Sequence, residues 1–390
     1  MTEDGACIAF VAGEPSGDLL AAPVIEALGR HVPPYRTAGV AGDRMIAAGC
    51  RAWHHVRELS VRGYVEVLSE LPRLLWLRRR LAQRLRAGSC AALVGVDAPD
   101  FNLALETAVR RRGVPTIHYV SPSIWAWRAE RIERIRRAAD RILLVFPFEQ
   151  AIYDRAGIAA TYVGHPLASA IPMRPDRAAA RRRLGYAAEQ QLICLMPGSR
   201  RAEIECIAAA FFAAANRLTV SLPGARFLLP VADPGLQPLL QRIREHTCTP
   251  SASDRLALIG GRSHECLEAC DGVLVASGTA TLEAALYKRP MVIAYRVPMF
   301  SAWIMRRIGS YLPWVGLPNI LAGEALVPEL LQEQATGEAL ARQLLTVLED
   351  ASGQHRLEER FCALHEALRR DTPSLATEAI LHTIAQARAR

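Results

Sequence analysis

The chain has 390 residues, 51% of them hydrophobic and 22% charged, and a formal net charge of +8 at pH 7. That length exceeds one ordinary core and fits about two domains, and the composition excludes a disordered or low-complexity polymer. A basic balance suits phosphosugars, acidic headgroups or nucleic acid, and nucleic acid is the least favoured because no RNP, zinc-finger or helix-turn-helix signature accompanies the charge.

Met1 to Gly5 is polar, and Glu14 and Asp18 break the apolar stretch that follows, so the N-terminus does not read as a secretory signal. No window holds the roughly 18 uncharged apolar residues of a spanning helix, and a cytoplasmic chain is expected. Short apolar runs at Cys7 to Ala12, Ala91 to Val96, Pro115 to Val120 and Arg141 to Phe146 predict buried strands. Ser16 to Gly29, Pro72 to Ala87, Leu103 to Arg112 and Arg128 to Ala139 carry helical spacing between them. Strand followed by helix, repeated, predicts a parallel sheet covered on both faces.

Gly164 to Arg177, with Pro166, Pro172 and Pro175, reads as a linker. The alternation restarts with strands expected at Gln191 to Met196, Ala225 to Val231, Arg255 to Ile259, Gly272 to Ala276 and Pro290 to Tyr295, and from Gly337 onward the chain is purely helical. The expected organisation is α/β: doubly wound, Rossmann-like domains over 1–168 and 169–345 with a cleft between them, and a helical tail over 346–390. Two such domains joined by a linker form the GT-B glycosyltransferase architecture, shared by some sugar epimerases. The nine cysteines are scattered without a CxxC pair, so reduced thiols are expected and no structural zinc site.

In an open parallel sheet, ligands sit beyond the carboxyl ends of the strands. After the first strand comes Gly13-Glu14-Pro15-Ser16-Gly17-Asp18, either a turn capped by Ser16 or a backbone nest for an anionic or hydroxyl-rich ligand. No GxGxxG fingerprint occurs, which counts against a nicotinamide enzyme. Gly95-Val96-Asp97-Ala98-Pro99-Asp100-Phe101-Asn102 places Asp97 at a strand end, before any cap position, where a carboxylate can accept a proton. Asp100 or Asn102 reads as a cap of the following helix. His118 sits inside an expected strand and reads as a core residue. Trp125, Trp127 and Arg128 follow in a loop suited to sugar rings or acyl chains.

In the second half, Met196-Pro197-Gly198-Ser199-Arg200 ends a strand where a helix starts, so backbone N–H groups, the helix dipole and Arg200 converge. Ala276-Ser277-Gly278-Thr279 repeats the arrangement, and Glu283, about one turn on, is spaced to reach a ribose hydroxyl. Two anion sites with a trailing acid point to a nucleotide diphosphate. No DxD-like acidic pair stands at these loops, and Arg200 with two helix N-termini could supply the positive field for a diphosphate instead of a metal.

GEPSGD, GVDAPDFN, HYVSPSIWAWR, FPFE, VGHP, PGSR, ASGTATLE and LPNILAG follow one another in order, from about Cys7 to the Gln332 region. Together they resemble the lipid-A-disaccharide synthase family. The resemblance implies a GT-B fold and an inverting, metal-independent transfer without a cofactor. The donor would be UDP-2,3-diacylglucosamine and the acceptor 2,3-diacylglucosamine 1-phosphate (lipid X), giving a β(1→6) disaccharide and UDP. It implies Asp97 as base, with Glu14 as the other candidate, and nucleotide contacts from Ser199, Arg200, Ser277, Gly278, Thr279, Glu283 and Asn319. Pro15 stands where many relatives have Ala and Arg201 where some have Gly, and Arg201 could alter the grip on the phosphates. A homodimer with exchanged C-terminal segments and a peripheral position on the cytoplasmic face of the inner membrane are also implied. The rivals are a UDP-sugar 2-epimerase and a nucleotide-sugar binding protein without activity.

Pro72 to Ala87 predicts a helix with Pro at its first turn, Leu74, Leu77, Leu81 and Leu85 on the core face, and Trp76 among Arg79 and Arg80 on the other. An indole among arginines suits a headgroup boundary, or else Trp76 packs on a neighbouring loop. Phe300 to Trp314, with Trp303, Arg306, Arg307 and Tyr311, has similar character.

Overall fold

Apolar runs too short for helices, alternating with amphipathic segments, close into two parallel sheets. The computed structural model describes residues 7–31, 35–59, 64–87, 90–124, 131–297 and 313–389, with 64–70 and 86–87 by backbone alone. The chain divides into two compact units, Met1–Ser169 with Leu368–Arg390, and Ala170–Ala367.

In the first unit, seven strands run in the order β3-β2-β1-β4-β5-β6-β7. They are β1 (Cys7–Ala12), β2 (Arg36–Ala41), β3 (Arg51–His55), β4 (Cys90–Val96), β5 (Thr116–Tyr119), β6 (Arg141–Leu144) and β7 (Ala160–Tyr162). Every neighbouring pair is parallel. The four expected strands are present, within one or two residues at their ends. The other three lack a continuous apolar run. β3 and β7 are sheet edges, and a half-exposed edge needs no such run. β2 carries Gly39 so close to β1 that a Cβ there would lie 1.8 Å from the Phe10 carbonyl oxygen. The close approach demands glycine, a residue that reads in sequence as a strand breaker.

The helix expected from Pro72 begins at Tyr64, so Pro72 lies inside it and removes one backbone hydrogen bond. Its leucine face is as the spacing predicts: Leu77, Leu81 and Leu85 are buried against β1, β2 and β4 residues, with Leu74 packed at the margin.

The second unit has six parallel strands in the order β10-β9-β8-β11-β12-β13. They are β8 (Leu192–Met196), β9 (Arg226–Val231), β10 (Leu256–Gly260), β11 (Gly272–Ala276), β12 (Met291–Tyr295) and β13 (Glu329–Leu331). The helix Arg201–Ser221 is the one helix among the described residues long and apolar enough to cross a membrane. It is instead the core helix of this unit, with Phe211 and Phe212 fully enclosed among strand residues. Emptying either site would cost about 3–5 kcal/mol.

The expected helical tail is divided between the units. Gly337–Glu349 packs on Arg201–Ser221, and Thr336 Oγ1 caps it by accepting from Ala339 N at 3.2 Å. Ala351–Leu368 buries Phe361 and His365. Thr372–Arg388 belongs to the first unit, where it packs on Pro15–Arg30, and Arg141 Nε donates to Thr383 Oγ1 at 2.9 Å. Gly337–Glu349 lies against β11 and β12 of the second sheet and Thr372–Arg388 against β4 and β6 of the first, which a purely helical sequence pattern does not distinguish.

Strand order reverses between β1 and β4 in the first sheet and between β8 and β11 in the second. At such switch points the loops diverge and leave room for a ligand.

Candidate active site

The loops after β1 and β4 leave neighbouring strands and touch. A Cβ on Gly13 would fall 2.1 Å from Ala98 Cβ, so only glycine admits the β4 turn at this place. Glu14 takes the N-cap position of Pro15–Arg30 with extended backbone and no side-chain cap, and Pro15 is the first helical residue. Ser16, expected as the cap, lies inside the helix. Glu14 is exposed.

Asp18, the last residue of the expected nest, is itself the bound anion. Its buried carboxylate accepts from Gly42 N (2.9 Å), Arg44 N (3.1 Å) and Met45 N (3.0 Å), anchoring the loop after β2. Three amide donors repay the desolvation of one carboxylate.

Asp97 and Ala98 both have positive φ, 53° and 43°. Two consecutive non-glycine residues in the left-handed region store strain, a feature that clusters at functional sites. Asp97 N donates to Tyr119 O on β5 at 2.9 Å. The Asp97 carbonyl accepts from Asn102 Nδ2 at 2.8 Å. The backbone is thus held on both sides while the side chain stays half-buried.

Asn102 is not a cap. It sits within the helix Pro99–Arg110, fully buried, and its amide also reaches Val11 O (3.1 Å) and Val96 O (3.3 Å). Asp100 is exposed in the first turn and pairs with Arg131 at 3.0 Å. Nor is His118 a lone core residue. Its Nδ1 lies 2.7 Å from Glu106 Oε1, both side chains fully enclosed. Burial alone would push the His118 pKa down, but the Glu106 carboxylate outweighs it and Asp97 adds to the effect, so His118 is raised above its ordinary value. Glu106 escaped the sequence reading, although Asn102 and Glu106 mark one polar stripe on a helix face whose neighbours Leu103, Leu105 and Val109 are buried. Trp125, Trp127 and Arg128 lie outside the described residues, as do Trp303, Arg306, Arg307 and Tyr311.

In the second unit, Gly198, Ser199 and Arg200 lead from β8 into Arg201–Ser221. The N–H groups expected to greet a phosphate are held by the chain's own carboxylate: Glu203 Oε2 accepts from Ser199 N (3.1 Å) and Arg200 N (3.3 Å). Gly198, with φ 115°, leaves room for it, since a Cβ there would lie 2.5 Å from Glu203 Oε2. Arg200 is exposed, its guanidinium 4.0 Å from Glu203 Oε1.

The loop after β11 is differently built. Ser277 N continues the ladder to Ala294 O (3.0 Å), and its hydroxyl donates to Val315 O at 2.8 Å. Gly278 takes φ 151°, and the helix Thr279–Leu286 starts there without a side-chain cap. Its N-terminus, with Thr279 exposed, is open. Glu283 is half-buried on this helix, and burial pushes its pKa up to about 7.

Asn319 is fully buried. Its Nδ2 donates to Val327 O (2.9 Å) and Glu329 Oε1 (2.8 Å), and its Oδ1 accepts from Val327 N (3.0 Å). Glu329 further accepts from Val315 N (2.9 Å) and Gly316 N (3.0 Å). Thr281 Oγ1 accepts from Leu317 N at 3.3 Å. Asn319 therefore shapes the 315–319 segment that rests on Ser277 and Thr281. Glu329 and Thr281, missed in sequence, complete that support. The structure brings Asp97 to Glu14's loop in one unit and supports Ser277 through Asn319's segment in the other.

Trp76 is 53% exposed, and the Arg80 guanidinium stacks 4.7 Å above its ring. Arg84 stacks on Trp53 at 4.5 Å. Trp53, His54, Arg80, Leu81, Gln83 and Arg84 line a groove of about 610 Å³. All nine cysteines are free thiols. Among the described residues, no three His, Cys, Asp or Glu side chains gather as a metal site would require.

Residues 8–380 match the family described as lipid-A-disaccharide synthetase. The chain is 48% identical over 385 residues to the lipid-A-disaccharide synthase of Paraburkholderia phymatum, covering 98% of this chain and 97% of that protein. It is 49% identical over 386 residues to the synthase of Burkholderia lata, with the same coverage. Among solved structures, it is similar to UDP-GlcNAc 2-epimerase from Neisseria meningitidis bound to UDP-GlcNAc (TM-score 0.65, 12% identity, 96% of this chain and 100% of that one). It is also similar to S. aureus MnaA with UDP (TM-score 0.64, 14% identity, 97% and 96%). At such identities the structures share the fold alone.

Proposed function

We propose a reaction course for this chain on the premise that it belongs to the lipid-A-disaccharide synthetase family. It is a hexosyltransferase of lipid A synthesis, moving 2,3-diacylglucosamine from its UDP donor to lipid X with release of UDP. The epimerase rival does not survive the family match, since the epimerases share only the fold.

An alcohol becomes a competent nucleophile only as a base removes its proton, and the base must come within about 3 Å of it. Asp97 is our choice for the first unit. One observation carries it: a carboxylate residue held in a left-handed turn at the switch point, its N–H and C=O both tied down by Tyr119 and Asn102. Glu14 stands exposed at the N-cap of the adjoining helix, with extended backbone rather than a left-handed turn. It takes the second role, orienting the acceptor hydroxyls.

In the second unit, the uncapped start of Thr279–Leu286 suits a diphosphate, with Ser277, Gly278 and Thr279 around it and Glu283 accepting from ribose hydroxyls. Ser199 and Arg200 join this cradle once phosphate oxygens take the N–H groups that Glu203 occupies. Asn319 supports the cradle through Val315 and Glu329.

Lipid substrates favour a peripheral position on the cytoplasmic face of the inner membrane, and exposed Trp76 beneath Arg80 supports this reading with a surface suited to a headgroup boundary. A homodimer that exchanges C-terminal segments would have Thr372–Arg388 make on a partner chain the contacts it makes here with Pro15–Arg30. The deciding assay measures UDP release with and without lipid X. Release and disaccharide formation that require the acceptor support transfer, and UDP release or sugar inversion without it refutes it.

A further inference from the structure

Beneath Asp97, the enclosed pair Glu106 and His118 joins three elements of the first unit. Glu106 lies one turn after Asn102 on Pro99–Arg110, and its Oε1 occupies the space beside β4 where a Cβ on Gly95 would come within 2.1 Å. Gly95 is also the register partner of His118 on β5. The Glu106–His118 contact of 2.7 Å therefore joins helix, β4 and β5 at one level. Each partner adjoins a residue that holds Asp97. Asn102, on the Glu106 side, binds the Asp97 carbonyl, and Tyr119, next to His118, binds the Asp97 amide.

The arrangement is costly. Glu106 Oε2, His118 Nε2 and Asn102 Oδ1 are buried with no hydrogen-bond partner among the described residues. Replacing a buried pair of this kind by apolar side chains of similar volume is often neutral or stabilising. The groups facing His118 are Glu106 from the helix and Asp97 from the end of β4. These polar atoms stand beneath two strained residues, at a level where an apolar filling often serves stability equally well.

We propose that Glu106 and His118 are positioning residues for Asp97, a buried pair that sets the spacing of helix, β4 and β5 and so fixes the carboxylate at the strand end. The inference rests on Asp97 being the base. A misplacement of about 1 Å in a reacting group costs on the order of 100-fold in rate, so this role is read in kcat.

The test is the double variant Glu106→Leu with His118→Leu. Melting temperature and UDP affinity should match the parent or exceed it, because the replaced pair contributes little net stability. kcat should fall about 10- to 100-fold with both KM values within about threefold. Glu106→Gln with His118→Asn restores a hydrogen bond without charge and should recover kcat to within about fivefold of the parent. In an Asp97→Asn background, the leucine pair should cost no more than about twofold, since residues acting through one group are not additive. Parent-like kcat in the leucine variant overturns the inference, and so does an equal loss in the Asp97→Asn background. Parent-like turnover by Asp97→Asn alone overturns the base assignment and this inference together, a separate signature. Should the leucine pair not fold, Glu106→Met with His118→Phe keeps the pair's volume without leaving one buried charge alone and carries the same expectations for kcat and KM.

Discussion

Asn102 Nδ2, reaching back from the first turn of its helix, donates to the Asp97 carbonyl at 2.8 Å while also bonding Val11 and Val96. One buried amide thus ties the ends of β1 and β4 to the turn that carries the candidate base. Asn102→Ala leaves three carbonyls short of a donor. Stability should fall by about 1–3 kcal/mol, seen as a lower denaturation midpoint, and kcat should fall with it. An unchanged midpoint would mean that the amide does not hold these strands.

Asp97→Asn keeps the side chain's size and removes its ability to take a proton. Turnover should drop about 100- to 10,000-fold, with UDP affinity measured calorimetrically unchanged. Activity within about threefold of the parent transfers the role to Glu14.

Glu283 titrates near pH 7 because burial disfavours its charge. Ribose hydroxyls donate best to the carboxylate, so donor binding draws its proton off and binding strengthens as pH rises. Affinity for UDP should be about tenfold weaker at pH 6 than at pH 8 and level off above pH 8. The sign for folding is opposite: a carboxyl raised in the folded state contributes less stability as pH climbs from the unfolded value toward 7. Glu283→Gln should remove the slope in UDP affinity, and a slope that persists assigns it to another group.

Glu203 holds the Ser199 and Arg200 N–H groups that a diphosphate would use. Glu203→Gln removes the competing negative charge and keeps an acceptor oxygen for the loop. UDP should bind about three- to tenfold tighter. Weaker binding would show that Glu203 orders the cradle and does not compete for it.

Trp76→Ser with Arg79→Ser and Arg80→Ser should weaken binding to anionic vesicles by on the order of 1 kcal/mol per lost cation. The leucine face is untouched, so circular dichroism should not change. Co-sedimentation equal to the parent's at low salt would leave this helix a structural element.

Periodicity and punctuation in the sequence by themselves determine much of this protein. Continuous apolar runs marked β1, β4, β8 and β11 because strands covered on both faces have no polar side to show. The small-residue turns after them marked the loops bearing Asp97, Ser199 and Ser277 because strand ends of a parallel sheet leave room for ligands. The motifs' order carried the family. Tertiary structure decided what local pattern does not encode, namely which atom each polar group meets. Asn102 reads as a cap in sequence and becomes a clamp because the turn after β4 brings three carbonyls to it. Asn319 reads as a ligand contact and is enclosed by Val327 and by Glu329, the first residue of a strand that sequence did not announce. Glu106 and His118 are separated along the chain and meet only because β5 pairs with β4 beneath one helix. Pairing across a fold depends on sheet order and register, and those are set by the packing of distant apolar faces.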